Sequence, residues 1–197
     1  MTRPGRRKQP IANDTTGEYD AFLSRALPAI KAIMKRGAVM HWFAGGGGGE
    51  PVLAKALLAI SKHFTLLNTL VWDKVDADLG WRWRRSWEAI IEASLGKPKV
   101  WYGGTEKRNV LPYPKAIPQA DQHPTPNPVP LLEEIIRGSA PSRGLILDPF
   151  AGSGPTFVAA ERTGRTCLAG ELEPRYCDII VARWEALVKR RATRVTG

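Results

Sequence analysis

Apolar positions along the chain switch between two periods. Leu23, Leu27, Ile30 and Met34 recur at helical spacing within YDAFLSRALPAIKAIMKRG, which predicts a helix over 19–36 with Gly37 as its stop. Pro28 lies inside that stripe and predicts a kink or a late start. The run AVMHWF (38–43) predicts a buried strand, and AGGGGGEPVLAKALLAISKHF predicts a glycine turn leading into a second helix. TLLNTLVW (65–72) and WEAIIEA (87–93) predict two more strands. Further on, LLEEIIRG predicts a helix, RGLILD a strand, PTFVAAERTG a helix and TCLAGE a strand. The last helix starts near Glu173 and is expected to bury Tyr176, Ile180, Trp184, Leu187 and Val188. Alternation of this kind predicts an α/β sheet with helices on both faces.

Two segments stand outside the pattern. Residues 1–18 are polar and basic and read as a loose arm. Residues 94–122 are rich in proline and scattered lysine and arginine, without a period. They read as an ordered recognition insert, with VLPYP (110–114) as loop inside it. No repeat is visible, and residues 1–197 are expected to form a single domain.

Charge and composition narrow the chemistry. The chain carries 29 Lys+Arg against 19 Asp+Glu, a net +10, which favours a polyanionic partner. No apolar run approaches a membrane span, and the N-terminus lacks the apolar centre of a signal peptide. Cys167 and Cys177 are the only cysteines, too few for a disulfide framework or a metal site. A reduced, cytoplasmic setting and no metal are therefore expected.

The sharpest signal is LILDPFAGSGPTFVAAE (145–161). A strand delivers Asp148 to its carboxyl end, where sheets of this kind bind ligands. Gly152 and Gly154 allow a tight turn with no Cβ between backbone and ligand. The helix beginning near Pro155 aims free N–H groups at the same place. A mononucleotide P-loop needs Lys-Ser/Thr after its last glycine, but Pro155 and Thr156 stand there. A dinucleotide fold wants a third glycine where this chain has Phe157. What remains is a nucleoside without a pyrophosphate. Glu171, at the end of the next strand, suits the two ribose hydroxyls.

These residues carry a resemblance. DPFAGSGPT is similar to the Asp-Pro-Phe-x-Gly-Ser-Gly-Thr-Thr signature of S-adenosylmethionine-dependent DNA amino-methyltransferases, the N6-adenine and N4-cytosine enzymes. HPTPNPVPLLEEII (123–136) resembles the His-Pro-Thr-x-Lys-Pro segment that precedes it in the circularly permuted, β-type branch. GELEPRYCDIIVARWE is similar to the Gly-x-Glu-Leu-Asp-x-x-Tyr continuation, and LVWDK and GWRWRRSWE resemble phage and bacterial members. The resemblance covers about residues 19–190. It implies a Rossmann-like methyltransferase sheet and S-adenosylmethionine as cofactor. Phe150, Gly152, Gly154 and Thr156 would face that cofactor, Asp148 its methionine amino group and Glu171 its ribose. His123, Pro124 and Thr125 would line the methionine side. Pro155 and Asn127 depart from the usual Thr and Lys.

Catalysis in this family uses an Asp/Asn/Ser-Pro-Pro-aromatic motif, whose first residue and proline carbonyl accept hydrogen bonds from the target amine. The chain contains no Pro-Pro dipeptide. In the permuted order the motif belongs ahead of the helix at 19–36, where the arm lies, so one strand of the sheet is expected to be missing. That leaves an edge suited to a partner chain or a homo-oligomer. The readings carried forward are a DNA methyltransferase completed elsewhere, an inactive DNA- or cofactor-binding relic, and a different nucleotide enzyme.

For double-stranded DNA, GWRWRRSW (80–87) interleaves Trp81, Trp83 and Trp87 with Arg82, Arg84 and Arg85. Arginines can hold phosphates while indoles stack on an unpaired base. The tryptophans equally fit an amphipathic strand turned to the core. Lys97, Lys99, Lys107 and Arg108 of the insert are the alternative contacts. The run Gly45–Gly49 reads as flexible loop or as a border of the base pocket, and His41 and His63 as core and surface residues.

Overall fold

In the computed structural model the described residues are 18–45, 51–78, 83–98, 100–117 and 126–195. They form two compact units. The first holds α1 (Tyr19–Ile33), β1 (Val39–Ala44), α2 (Val52–Ser61), the start of β2 (Thr65–Asp73) and β3 (Trp87–Ser94). The second holds the rest of β2 with β4 (Val110–Pro112), α3 (Val129–Ser139), β5 (Leu145–Asp148), α4 (Pro155–Arg162), β6 (Thr166–Ala169) and α5 (Pro174–Val188).

In the first unit the helical stripe does what its spacing predicts, burying Leu23, Leu27 and Ile30. Pro28 does not delay the helix, which runs through it from Tyr19 to Ile33. It is exposed, so the Ser24 carbonyl that loses its partner there lies on the water side. Regular helix ends at Ile33, and Gly37, at φ +83°, donates its N–H to the Leu95 carbonyl. That bond ties the helix exit to the end of β3. β1 and β3 pair antiparallel from Val39 opposite Ser94 to Ala44 opposite Ala89. Ile60, Ala89, Ile91 and Ala93 complete the core with the α1 stripe. His41 does have a partner: Glu92, directly across the ladder, lies 3.3 Å away, with both side chains largely buried. Residues 46–49 of the glycine run lie outside the described residues.

In the second unit VLPYP is not all loop. Val110–Pro112 forms β4, parallel to Val71–Asp73 of β2. The Val71 N–H donates to Asn109, the Tyr113 N–H to Asp73, and the Trp72 indole to the Tyr113 carbonyl at 2.7 Å. A three-residue strand ending on proline has no period to read; its pairing is set by a strand far away in sequence. Hydrogen bonding in the larger sheet runs β1-β3-β2-β4, and β5 and β6 form a separate parallel pair.

The insert is seated on α3. Tyr102 donates its N–H to the Gly138 carbonyl, and the Trp101 ring lies where a Cβ on Gly138 would come within 2.7 Å of it. Glu134 accepts hydrogen bonds from the Tyr113 hydroxyl and from Lys107, the latter at 2.7 Å. α3 packs against α4, and α4 against β6 and α5. Of the apolar positions expected to be buried in α5, Tyr176 and Ile180 are, whereas Trp184, Leu187 and Val188 are half-buried. Burial along β5 and β6 alternates. Ile146 and Cys167 are half-covered, while Leu145, Leu147 and Leu168 are 59%, 42% and 54% exposed. Parallel strands are ordinarily buried on both faces.

Burial, reinforced by the Glu134 carboxylate, pushes the Tyr113 hydroxyl up to about 12. A group whose pKa is raised in the folded state contributes stability below its unfolded value and loses it as pH rises. The fold is therefore expected to lose stability between about pH 10 and 12. Tyr113→Phe should flatten that part of the curve, read from urea midpoints at pH 8 and in the alkaline range. At the acid end, burial pushes the Glu134 carboxyl up, but hydrogen bonds from Lys107 and Tyr113 outweigh it and hold it low. Its contribution should be lost as pH falls through that lowered value.

Candidate functional site

The site stands at the carboxyl ends of β5 and β6. Asp148 closes β5, and its carboxylate accepts the Phe150 N–H at 3.1 Å, an Asx-type turn that starts the loop. Two backbone bonds stitch this loop to the end of β6: Gly170 N–H to the Asp148 carbonyl and Ala151 N–H to the Gly170 carbonyl. Glu171 then reaches across. One carboxylate oxygen accepts the Gly152 N–H at 2.7 Å and the other accepts the Glu173 N–H at 2.8 Å.

Gly152 and Gly154 have φ of +53° and +74°, the left-handed region that favours glycine. Gly154 has a second constraint, because a Cβ there would lie 2.6 Å from Ile180 Cγ1. Pro155 opens α4 at the position where a missing N–H costs nothing. Helix geometry leaves the N–H groups of Thr156 and Phe157 without intrahelical acceptors. The Phe150 ring is about half exposed beside the turn.

Asp148, Phe150, Gly152, Gly154, Thr156 and Glu171 thus share one strand edge and one turn, as their order in sequence predicts. His123, Pro124 and Thr125 lie outside the described residues. In the segment after them, Pro126 and Pro128 are buried and Asn127 is half-buried before α3. Burial and the Asp148 charge push the Cys167 thiol up to about 12, so it is not a nucleophile at neutral pH. Among the described residues no three His, Cys, Asp or Glu side chains could hold a metal ion.

Two features of the turn had no signature in the sequence. The Glu171 carboxylate holds the turn itself, and Arg183 of α5 donates to the Ser153 carbonyl at 2.7 Å. A carboxylate at a strand end is a ligand candidate by position, but its bond to a backbone N–H 19 residues away is visible only in three dimensions.

The arginine–tryptophan stretch separates into parts. Trp81 and Arg82 lie outside the described residues, as does Lys99 of the insert. Trp83 is 96% exposed, so it is not a core residue, and Trp87 is half-exposed. The loop that carries Trp83 is closed at its base by Lys74 N–H to Ser86 and Asp78 N–H to Arg85. Arg84 turns back, donating to the Asp78 carbonyl at 2.9 Å and the Ala77 carbonyl at 3.4 Å. Asp78 also pairs with Lys115 at 2.8 Å and Lys74 at 3.6 Å, and the hydrogen bond from Lys115 is the main cause of its lowered pKa. Arg84 is therefore committed to the loop, and Arg85 is exposed. Among the described residues no helix is long and apolar enough to cross a membrane.

A family model described as DNA methylase, of the N6/N4 type, matches residues 4–182. The chain belongs to this family. The type II methyltransferase M.ScaI of Streptomyces caespitosus is 37% identical over 98 residues, 46% of this chain and 32% of the relative. The chain spans a third to just under half of the curated relatives it matches. A DNA modification methylase from Thermus thermophilus, solved complexed with S-adenosyl-L-methionine, superposes with a TM-score of 0.66 at 25% identity, covering 86% of this chain and 79% of that one. The cytosine-N4-specific PvuII DNA methyltransferase gives 0.73 at 18% identity over 90% and 74%, a likeness of fold. The Rossmann-like α/β fold of DNA methylases is thus the fold of this chain.

Gly154 offers a direct test of how tightly the turn is built. Gly154→Ala should destabilise by about 2–4 kcal/mol, combining left-handed strain with overpacking against Ile180. Chemical denaturation of the two proteins checks this, and a loss below about 1 kcal/mol would show that the turn relaxes freely.

Proposed function

We propose that this chain is the cofactor-binding and DNA-binding part of a permuted, β-type DNA amino-methyltransferase. It would act on the exocyclic amine of adenine (N6) or cytosine (N4) in double-stranded DNA. The observation that carries the reading is the turn at Gly152–Gly154 held by Glu171 at the carboxyl end of β5. The donor set fits S-adenosylmethionine. It offers helix N–H groups, a half-exposed aromatic ring and two carboxylates, and no lysine beside the glycines to meet a pyrophosphate.

When bound, S-adenosylmethionine supplies an electrophilic methyl on a sulfonium. Glu171 keeps lone pairs beyond those used by Gly152 and Glu173, and these accept from the ribose hydroxyls. Asp148 answers the methionine ammonium, and Phe150 covers the adenosine. Thr156 faces the same turn, and His123, Pro124 and Thr125 line the methionine side.

On DNA, Trp83 stacks on a base and Arg85 holds a phosphate, and Arg82 and Trp81 of the same stretch are further contacts. Arg84 supports this surface by shaping the loop. The group that receives hydrogen bonds from the target amine is supplied by a further polypeptide segment. The absence of a Pro-Pro dipeptide supports this, as do the relatives' greater length and the uncovered leucines of β5 and β6. Association through the β5–β6 edge, with that segment or a second copy, would give this strand pair a further partner.

S-adenosylmethionine or its demethylated product should bind measurably and NAD should not. Glu171→Ala should weaken binding by about 1–3 kcal/mol. Calorimetry giving equal affinity for both proteins would remove Glu171 from the site. Trp83→Ala should lower DNA affinity with little change in salt dependence. Arg85→Gln should reduce the slope of log K against log salt by about 0.9. Titrations across a salt series separate the two. The purified 197-residue chain should bind DNA and cofactor without methylating. Robust product nucleoside from that chain would show that one of its own residues engages the amine.

A further inference from the structure

The glycine turn is gripped from two sides by side chains of opposite charge. Glu171 accepts the Gly152 N–H at 2.7 Å. Arg183, two turns into α5, donates to the next residue's carbonyl, Ser153 O, at 2.7 Å, and its guanidinium lies 3.4 Å from the Ser153 hydroxyl. Ser153 is 1% exposed, so water does not readily serve its carbonyl. An unmet carbonyl there would favour a different peptide orientation. The same helix face supplies Ile180, whose Cγ1 fills the space a Cβ on Gly154 would need. Burial lowers the Arg183 pKa, and nearby Arg162 adds repulsion. A partly desolvated cation is thus spent on one backbone carbonyl.

We propose that Arg183 is a positioning residue for the cofactor turn, fixing the Ser153–Gly154 peptide so that Gly152 and the first N–H groups of α4 face the ligand together. α5 then acts on the site from behind, without touching the cofactor. This rests on the reading of the turn as the cofactor site. Its physical core, the pinning of the turn, holds in the free protein and can be read there.

The test uses Arg183→Lys and Arg183→Met in the full chain, well below each variant's melting midpoint. Two quantities are followed: affinity for S-adenosylhomocysteine by calorimetry, and amide hydrogen exchange at Gly152 and Gly154 without ligand. Arg183→Met should weaken binding about tenfold or more and speed exchange at both amides by a similar factor, and Arg183→Lys should restore most of each. Two results overturn the proposal: exchange unchanged in Arg183→Met, or equal losses in both variants, which would mean packing alone. If the unmodified chain binds no S-adenosylhomocysteine, the cofactor reading fails and the exchange measurement still decides the role of Arg183.

Discussion

The hydrogen bond from the Gly152 N–H to Glu171 is the constraint on which the site depends. It joins the loop after β5 to the end of β6 at 2.7 Å, a link the β5–β6 ladder alone would not make. Around it the turn has little freedom. Asp148 fixes the entry, Gly170 shares two backbone bonds with the loop, and Ile180 and Arg183 close it from α5. A turn held by this many bonds within its own chain has little further ordering to lose on binding. Glu171 holds the turn and, under the proposed function, also meets the nucleoside, so its removal acts on both.

The strand pair that carries the turn is less complete than the turn. Leu145, Leu147 and Leu168 lie open on the face away from Ile146 and Cys167. A parallel pair of strands with one bare apolar face is an unusual thing to leave in water. The loops at its carboxyl end are held by local bonds and need no covering layer. The ladder beneath them does.

How much was legible in the sequence follows from where each signal resides. The alternation of helix and strand was readable because burial imposes a period on contiguous residues, as at Leu23, Leu27 and Ile30. The turn was readable because positive φ selects glycine at 152 and 154. β4 was not, since three residues with Pro112 carry no period and pair with β2 at long range. Trp83 was ambiguous because alternating tryptophans fit a core strand or a ligand surface equally; its exposure removes the first. Arg183 was silent. An arginine on a helix has no sequence mark that tells a carbonyl ligand from a solvated charge, and Arg84 misled for the same reason.

The seating of the insert on α3 has a consequence for modularity. Trp101 over Gly138, Tyr102 on the Gly138 carbonyl, and Tyr113 with Lys107 on Glu134 put four anchors on one helix, the helix that packs against α4, while β4 ties the same segment to β2. The boundaries for grafting a foreign insert therefore lie inside the segment, between its anchors. A transplant that kept Trp101, Tyr102, Lys107 and Tyr113 would arrive with its own dock, while one cut at the ends of the segment would leave α3 with an unfilled glycine notch and an unpaired carboxylate.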